Sequence, residues 1–270
     1  TADTTLNAKT YWNGTTDKEF AGSGTEDDPY LITTAEELAG LAERVNKKED
    51  FAGKYLKLTQ DPYLTDFNNK DTANWHEWVP IGKLTDNQEG TYVHVFDTCW
   101  FRGNFDGGNH TIHNVYMGTI GDISINNPDD PWADEVIDFT GTNNSIFSFV
   151  ENASISNLTV TKLGLSGAGV MGGMVSNALN TTITNCEIGW IGGDFLGDDN
   201  SVRGGNCIGV WADQKNTLIK NNWVYHDYDA GISPQGSPYM INEDMQVIGN
   251  LIEYCTWSYE AWVGGSYGKF

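Results

Sequence analysis

Residues 226 to 236 read HDYDAGISPQG and set one histidine, two aspartates, a serine and a glutamine within eleven positions. Glu253 and Glu260 follow closely, so Asp227, Asp229, Glu253 and Glu260 crowd one region of the chain. Cleavage of a glycosidic bond needs two carboxylates, one of them poised as an acid. Asp229 and Glu260, on adjacent strands, would lie near the short separation that retaining chemistry uses. Acidic residues are frequent throughout, however, at 37 in 270 positions, so a cluster of four is a weak signal for catalysis. The same groups beside flat aromatic neighbours could equally hold a ligand without changing it.

Aligning CIGVWADQ (207 to 214), DAGISPQG (229 to 236) and EAWVGGSY (260 to 267) stacks Ile208 on Ala230 and Ala261, and Val210 on Ile232 and Val263. These apolar columns should face a core, which turns the alternate positions outward. Brought together outside are Cys207, Asp229 and Glu260, then Gly209, Gly231 and Trp262, then Trp211, Ser233 and Gly264, then Asp213, Gln235 and Ser266. Sugars need this combination, because their C–H faces pack on aromatic rings while their hydroxyls require polar partners. Candidate ligand-binding residues are therefore Trp211, Asp213, Asp229, Ser233, Gln235, Glu260 and Trp262. The plainer alternatives are tryptophans covering an apolar strip under a loop, and a solvated carboxylate pair.

Like charges stacked at strand spacing repel, so Asp229 with Glu260 implies a shared proton, a cation or a ligand. No cofactor is expected and no metal ligand set is assigned; a structural calcium on Asp227, Asp229 and nearby carbonyls is the one conceivable ion, without an EF-type loop. His226 falls in a column with Trp190 and Tyr254, and the reading favoured for it is a structural aromatic stack rather than proton transfer. Trp223 and Trp257, near the coil corners, either extend a binding platform or pack.

What must position these residues is a nine-residue repeat, Asn/Asp-x-x-Ile/Val-x-Asn/Gly-x-x-apolar. It reads NHTIHNVYM from Asn109, NASISNLTV from Asn152, NTTITNCEI from Asn180, NTLIKNNWV from Asn216 and DMQVIGNLI from Asp244. The irregular spacing of the copies suits β-coils with loops of different length better than a helical solenoid. The two apolar positions of a copy are five apart, so strict alternation would put them on opposite faces and a bend must lie between them. Asn at the sixth position suits that bend, since it tolerates the left-handed conformation. Stacked coils would align the asparagines into a ladder about 4.8 Å per step. The expected fold is all-β, a right-handed parallel β-helix; a β-sandwich competes poorly because hairpin signals are scarce.

The sequons NHT, NAS and NTT recur at one repeat position, which favours a turn role over glycosylation. GAGVMG from Gly167 fits GxGxxG but leads into a coil of the repeat rather than a βαβ unit. Thr34-Ala35-Glu36-Glu37 has the form of a capping box, with Leu38, Leu41 and Val45 along one helical face. Residues 1–60 read as an N-terminal cap with a short α-helix, residues 61–270 as the β-helix, and 118–144 as a long loop.

Composition narrows the partners. A formal charge of −22 is a poor surface for nucleic acid or anionic lipid, and no apolar run approaches the roughly 20 residues that span a bilayer. Cys99, Cys186, Cys207 and Cys255 lack disulfide or zinc spacing and read as buried small apolar residues. From position 187 onward the basic residues are Arg203, Lys215, Lys220 and Lys269, too few for lysis of an acidic polysaccharide, so a neutral glycan is the better ligand.

FAGSGTEDDPYLITTAEELAGLAERVN, followed by WVPIG and FRGNFDGGNHTIHNV, resembles the opening segment of β-helical surface and carbohydrate-active proteins of gut bacteria, over about the first 117 residues. NCIGVWADQ and DAGISPQG are similar to β-helix proteins that handle plant polysaccharides, among them hydrolases, lyases and the β-helical carbohydrate-binding module family 89. The resemblance implies a secreted or cell-surface protein, a plant cell-wall polysaccharide or oligosaccharide as ligand with xylan foremost, and attachment to a larger glycan-degrading enzyme. It does not separate a binding module from a glycoside hydrolase using Asp229 and Glu260. An adhesin stalk without glycan affinity is a third class.

Overall fold

The computed structural model describes residues 9–69, 71–86, 96–117, 145–165, 172–191, 206–211, 214–236 and 242–263. The loop expected at 118–144, Asp213, and Gly167 and Gly169 lie outside the described residues, as do the side chains of Trp211, Gln235 and Trp262.

The chain is a parallel β-helix. Five successive coils each contribute one strand to each of three parallel sheets, and two strands nearer the N-terminus extend the first sheet. The first holds Tyr30–Ile32, Tyr55–Leu58, Asn104–Asp106, Ser154–Ser156, Thr182–Thr184, Leu218–Lys220 and Gln246–Ile248. The second holds Thr111–Met117, Thr159–Leu165, Glu187–Ile191, Trp223–Asp227 and Leu251–Glu253. The third holds Phe147–Glu151, Gly172–Leu179, Asn206–Trp211, Ala230–Gly236 and Trp257–Tyr259, with Trp262–Val263 beside the fourth of these.

The coil is built from five-residue sides. Backbone φ is positive at Asn152, Asn157 and Lys162, at Asn180, Asn185 and Trp190, at Asn216, Asn221 and His226, and at Asp244, Gly249 and Tyr254. Between two such corners the chain alternates inward and outward, and the left-handed residue adds a second outward position that restores the phase for the next side. Leu158, Cys186 and Asn222, each just after a sixth-position corner, are accordingly buried. The bend required between the two apolar positions of a copy thus sits at Asn157, Asn185 and Asn221. Sequons at Asn109, Asn152 and Asn180 likewise occupy left-handed corners.

One copy of the repeat is out of phase. The Asn109 amide bonds the Asn157 carbonyl and Ile112 pairs with Val160, so Asn109 matches a sixth position rather than a first. Two consecutive five-residue sides look alike, which is why the pattern can be matched one side too late.

Inward residues form continuous columns: Phe105, Ile155, Ile183 and Ile219 in the first sheet, Ile112, Val160, Ile188 and Val224 in the second, and Phe147, Val175, Ile208 and Ile232 in the third, all buried. Burial of each such side chain stabilises by about 1.5–3 kcal/mol. At the last coil the columns end in Val247, Ile252 and Tyr259, which are only partly covered and line an open groove. Cys99, Cys186 and Cys207 are buried and Cys255 half-buried, all as free thiols.

At the other end, Ala35–Asn46 forms the helix. The Thr34 hydroxyl accepts from the Glu37 amide while Glu37 Oε2 accepts from the Thr34 amide, completing the capping box. Leu38, Leu41 and Val45 join the β-helix core. Tyr30–Ile32 and Tyr55–Leu58, either side of the helix, pair in register with the first sheet, so the cap and the coils share one continuous ladder.

Candidate functional site

The third sheet, expected to carry the ligand, differs from expectation in register and in cover. Ile208 pairs with Ile232 and Trp211 with Gln235, a shift of two residues from the alignment on Ala230. Gln235 pairs with Trp262, four residues from the expected partner Ser266. Trp211, Gln235 and Trp262 therefore share one register position. On the outer side, however, Ser148, Ser176 and Ser233 are fully buried, and Gly209 opposite Ser233 is buried too. Ser233 cannot reach a ligand in solvent, and Cys207, expected outside, is buried with its thiol toward the Ile188 carbonyl. Ala230 pairs with Trp257 and Ile232 with Tyr259, so Glu260 follows the partner of Ile232 instead of standing opposite Asp229 as expected; burial, and then the Glu260 charge, raise the Asp229 pKa.

The second sheet presents the open face. One outward column runs Thr159, Glu187, Trp223, Leu251, and the next runs Tyr63, His113, Thr161, Gly189, Tyr225, Glu253. Along its edge runs a corner column, Lys162, Trp190, His226, Tyr254, every member with positive φ. His226 stacks on Trp190 at 4.2 Å and 24°, and on Tyr254 at 5.0 Å and 13°. The aromatic stack expected at His226 is present. Bulky residues in the left-handed region cost roughly 1–3 kcal/mol each. The other two corners of these coils use Asn, Asp or Gly, so the aromatic corner is maintained against backbone preference.

Inside that edge lie two rings held by carboxylates. The Tyr225 hydroxyl donates to Glu187 Oε1 at 2.7 Å, and the Trp223 indole N–H donates to Glu253 Oε2 at 3.2 Å. Tyr225 leans back one coil and Trp223 forward one coil, leaving the rings 4.7 Å apart and tilted by 34°. Gly189 makes this possible, since a Cβ there would stand 2.4 Å from the Tyr225 ring. Burial, and then the Glu187 carboxylate, raise the Tyr225 pKa, so the phenol remains a donor. Trp223 is 42 % exposed and Leu251 beside it 52 %. The result is a partly exposed pair of mutually packed rings whose polar tips are already paired.

Toward the cap the same face carries a second aromatic station. Tyr63 stacks on His113 at 4.3 Å and 8°. His113 Nδ1 lies 3.4 Å from the Thr161 hydroxyl. Asp61 Oδ1 pairs with His110 Nδ1 at 2.8 Å and accepts from the Thr111 amide at 3.1 Å. Burial opposes ionisation of Asp61, yet these two bonds hold its pKa below the ordinary value.

Beneath the corner, Asp227 points inward. It occupies the column of Leu163 and Ile191, and its carboxylate accepts from the amides of Cys207 at 3.1 Å and Asp229 at 3.4 Å. Burial pushes its pKa up to about 8. Among the described residues no group of three or more His, Cys, Asp or Glu side chains could hold a metal ion.

Sequence reading found the corner column and named Trp223 and Glu253, but missed Tyr225, Glu187, Gly189, Tyr63, His113 and Thr161. The repeat itself carried the signal: aligning EIGWI, WVYHD and LIEYC on their preceding asparagine or glycine corners stacks Glu187, Trp223 and Leu251, then Gly189, Tyr225 and Glu253. No protein-family model, curated protein or solved structure matches the chain.

Proposed function

We propose that this chain is a non-catalytic carbohydrate-binding β-helix, which lays a neutral plant cell-wall glycan, xylan foremost, along the open face of its second sheet. The observation that carries this reading is the Trp223–Tyr225 pair, an exposed indole beside a half-buried phenol ring, each fixed by a carboxylate, Glu253 and Glu187. Rings held in place before binding lose little freedom on contact, and that preorganisation favours affinity. The carboxylate oxygens not used by the rings accept from sugar hydroxyls. Coils rise about 4.8 Å each, so a chain laid along the axis meets a similar surface at each step. A strongly negative protein favours an uncharged backbone. In this reading the protein works outside the cell, beside glycan-degrading activity.

Affinity electrophoresis in gels containing xylan, β-glucan or mannan tests the proposal. The chain should be retarded by at least one of them, and Trp223→Ala should lower affinity about tenfold or more, as loss of a central aromatic anchor does. Unchanged mobility in every gel removes the reading. Gly189→Ala is a subtler variant: its methyl group must displace the Tyr225 ring while the backbone, outside the left-handed region, accepts it. Binding should weaken to the level of Tyr225→Ala with little change in unfolding midpoint; full retention would mean the ring's position is immaterial.

A second reading takes Asp229, a partly buried carboxyl within the field of Glu260, as one half of a hydrolytic pair. Release of reducing sugar from the same substrates, abolished by Glu260→Gln, would establish a hydrolase instead.

A further inference from the structure

Resting on the glycan-binding reading, we propose that the corner stack Trp190–His226–Tyr254 sets the specificity of the site. Its ring edges bond the hydroxyls along one side of a glycan chain lying parallel to the coil axis, so the ligand is a stretch of backbone unsubstituted on that side.

The argument starts from where the aromatic corners occur. In successive coils the same corner is occupied by Asn114, Lys162, Trp190, His226 and Tyr254, all with positive φ. Asn114 shows that asparagine fits this corner, and asparagine tolerates the left-handed conformation far better than a bulky ring does. Aromatic rings take the position only in the three coils that carry Glu187, Trp223 with Tyr225, and Glu253. They do not fill a core, since Trp190 is 53 % and Tyr254 76 % exposed. Stacking does not account for them either, because two ring contacts stabilise by less than three strained corners cost. Strain retained at the surface, in the coils that hold the Trp223–Tyr225 pair, points to a contact with a ligand.

What the stack offers that ligand follows from its geometry. With Trp190 at 4.2 Å on one side and Tyr254 at 5.0 Å on the other, both faces of the half-buried His226 ring are covered and its edge is what remains for a ligand. The three edges carry an indole N–H, two imidazole nitrogens and a phenol O–H, spaced by one coil step of about 4.8 Å. None of these groups has a hydrogen-bond partner among the described residues. Tyr225 connects the stack to Trp223, meeting His226 at 5.8 Å and 77° and Trp223 at 4.7 Å. An exposed indole for the C–H face of a sugar thus lies beside a row of polar edges for its hydroxyls. The row runs along the axis, and a branch on the side facing it would hold the chain away.

Isothermal titration and urea unfolding of the native chain and of Trp190→Asn/His226→Asn/Tyr254→Asn test this together, since asparagine relieves the corners while removing the rings. Affinity for xylohexaose should fall about tenfold or more while the unfolding midpoint stays level or rises; a stack kept for stability would do the reverse. The native chain should also bind xylohexaose about tenfold more tightly than the same backbone carrying arabinose on consecutive residues, and the triple variant should bind the two alike. A lowered midpoint, an affinity for xylohexaose that survives the triple variant, or equal native affinities for the two ligands overturns the inference. In each of those cases native binding that is lost in Trp223→Ala leaves the glycan-binding reading standing. A native chain that binds no glycan removes both.

Discussion

Asp227→Asn should leave stability near pH 4 almost unchanged and raise it by about 3–5 kcal/mol near pH 9. The position belongs to an inward column otherwise filled by Leu163 and Ile191, and burial lifts the carboxyl from 3.8 to about 8. In the unfolded chain the same group releases its proton near the ordinary aspartate value of about 3.9. Between those values the native state binds more protons than the unfolded state, so the free energy of unfolding falls as pH rises. The contribution is fully present below about pH 4 and lost once pH passes about 8. Each unit of separation corresponds to about 1.4 kcal/mol, which sets a ceiling of about 5–6 kcal/mol.

Two amides, from Cys207 and Asp229, already bond the carboxylate and keep its ionised form from costing more. The two amides bond different oxygens, so asparagine keeps the Cys207 bond on its carbonyl oxygen, gives up the long one from Asp229, and cannot ionise. Urea unfolding of both proteins across the pH range reads the effect as a gap that widens from acid to alkaline conditions. Parallel curves would mean that water reaches Asp227 in the folded state.

Why the fold could be read from the sequence while the site was only partly legible is a matter of which errors the pattern can detect. A five-residue spacing between Ile155 and Val160, or Ile183 and Ile188, is incompatible with a straight strand, so the corners at Asn157 and Asn185 follow from geometry alone. Thr34 and Glu37 specify a helix start by the same kind of local chemistry. Register in the third sheet has no such marker. Sliding DAGISPQG by two residues against CIGVWADQ leaves every side chain on the same face, because strand alternation has a period of two. Apolar columns look equally good in either register. The burial of Ser233 depends on what covers the outer face, which no alternation pattern within the strand encodes. Tyr225 escaped notice for a related reason: its importance comes from the missing side chain of Gly189 on the neighbouring coil, a contact visible only once coils are stacked.

Removal of the Asn222 side chain should cost about 3–5 kcal/mol, well above the usual effect of a polar substitution. This residue lies inside the coil just after the Asn221 corner and is 2 % exposed. Its Oδ1 accepts from the Cys186 amide at 2.9 Å, and its Nδ2 donates to the Ile183 carbonyl at 3.1 Å and to Asn250 Oδ1 at 2.9 Å. Asn222→Ala leaves the Cys186 N–H and the Ile183 carbonyl without that partner in a space closed to water, and each such group costs about 1–3 kcal/mol. Asn250 makes the same kind of bonds one coil later, to the Asn222 amide at 2.9 Å and the Ile219 carbonyl at 3.0 Å, but it is half-buried at the open end. Water can take its place there, so Asn250→Ala should cost no more than about 1–2 kcal/mol. The difference between the two variants, measured by urea unfolding with an unchanged dependence on denaturant, isolates burial from hydrogen bonding. Equal losses would show that the interior ladder is solvated along its length. Because Asn222 immediately precedes Trp223, a larger loss at Asn222 also explains how a ring exposed to solvent is held still: its backbone is anchored from inside the coil, and its indole from outside by Glu253.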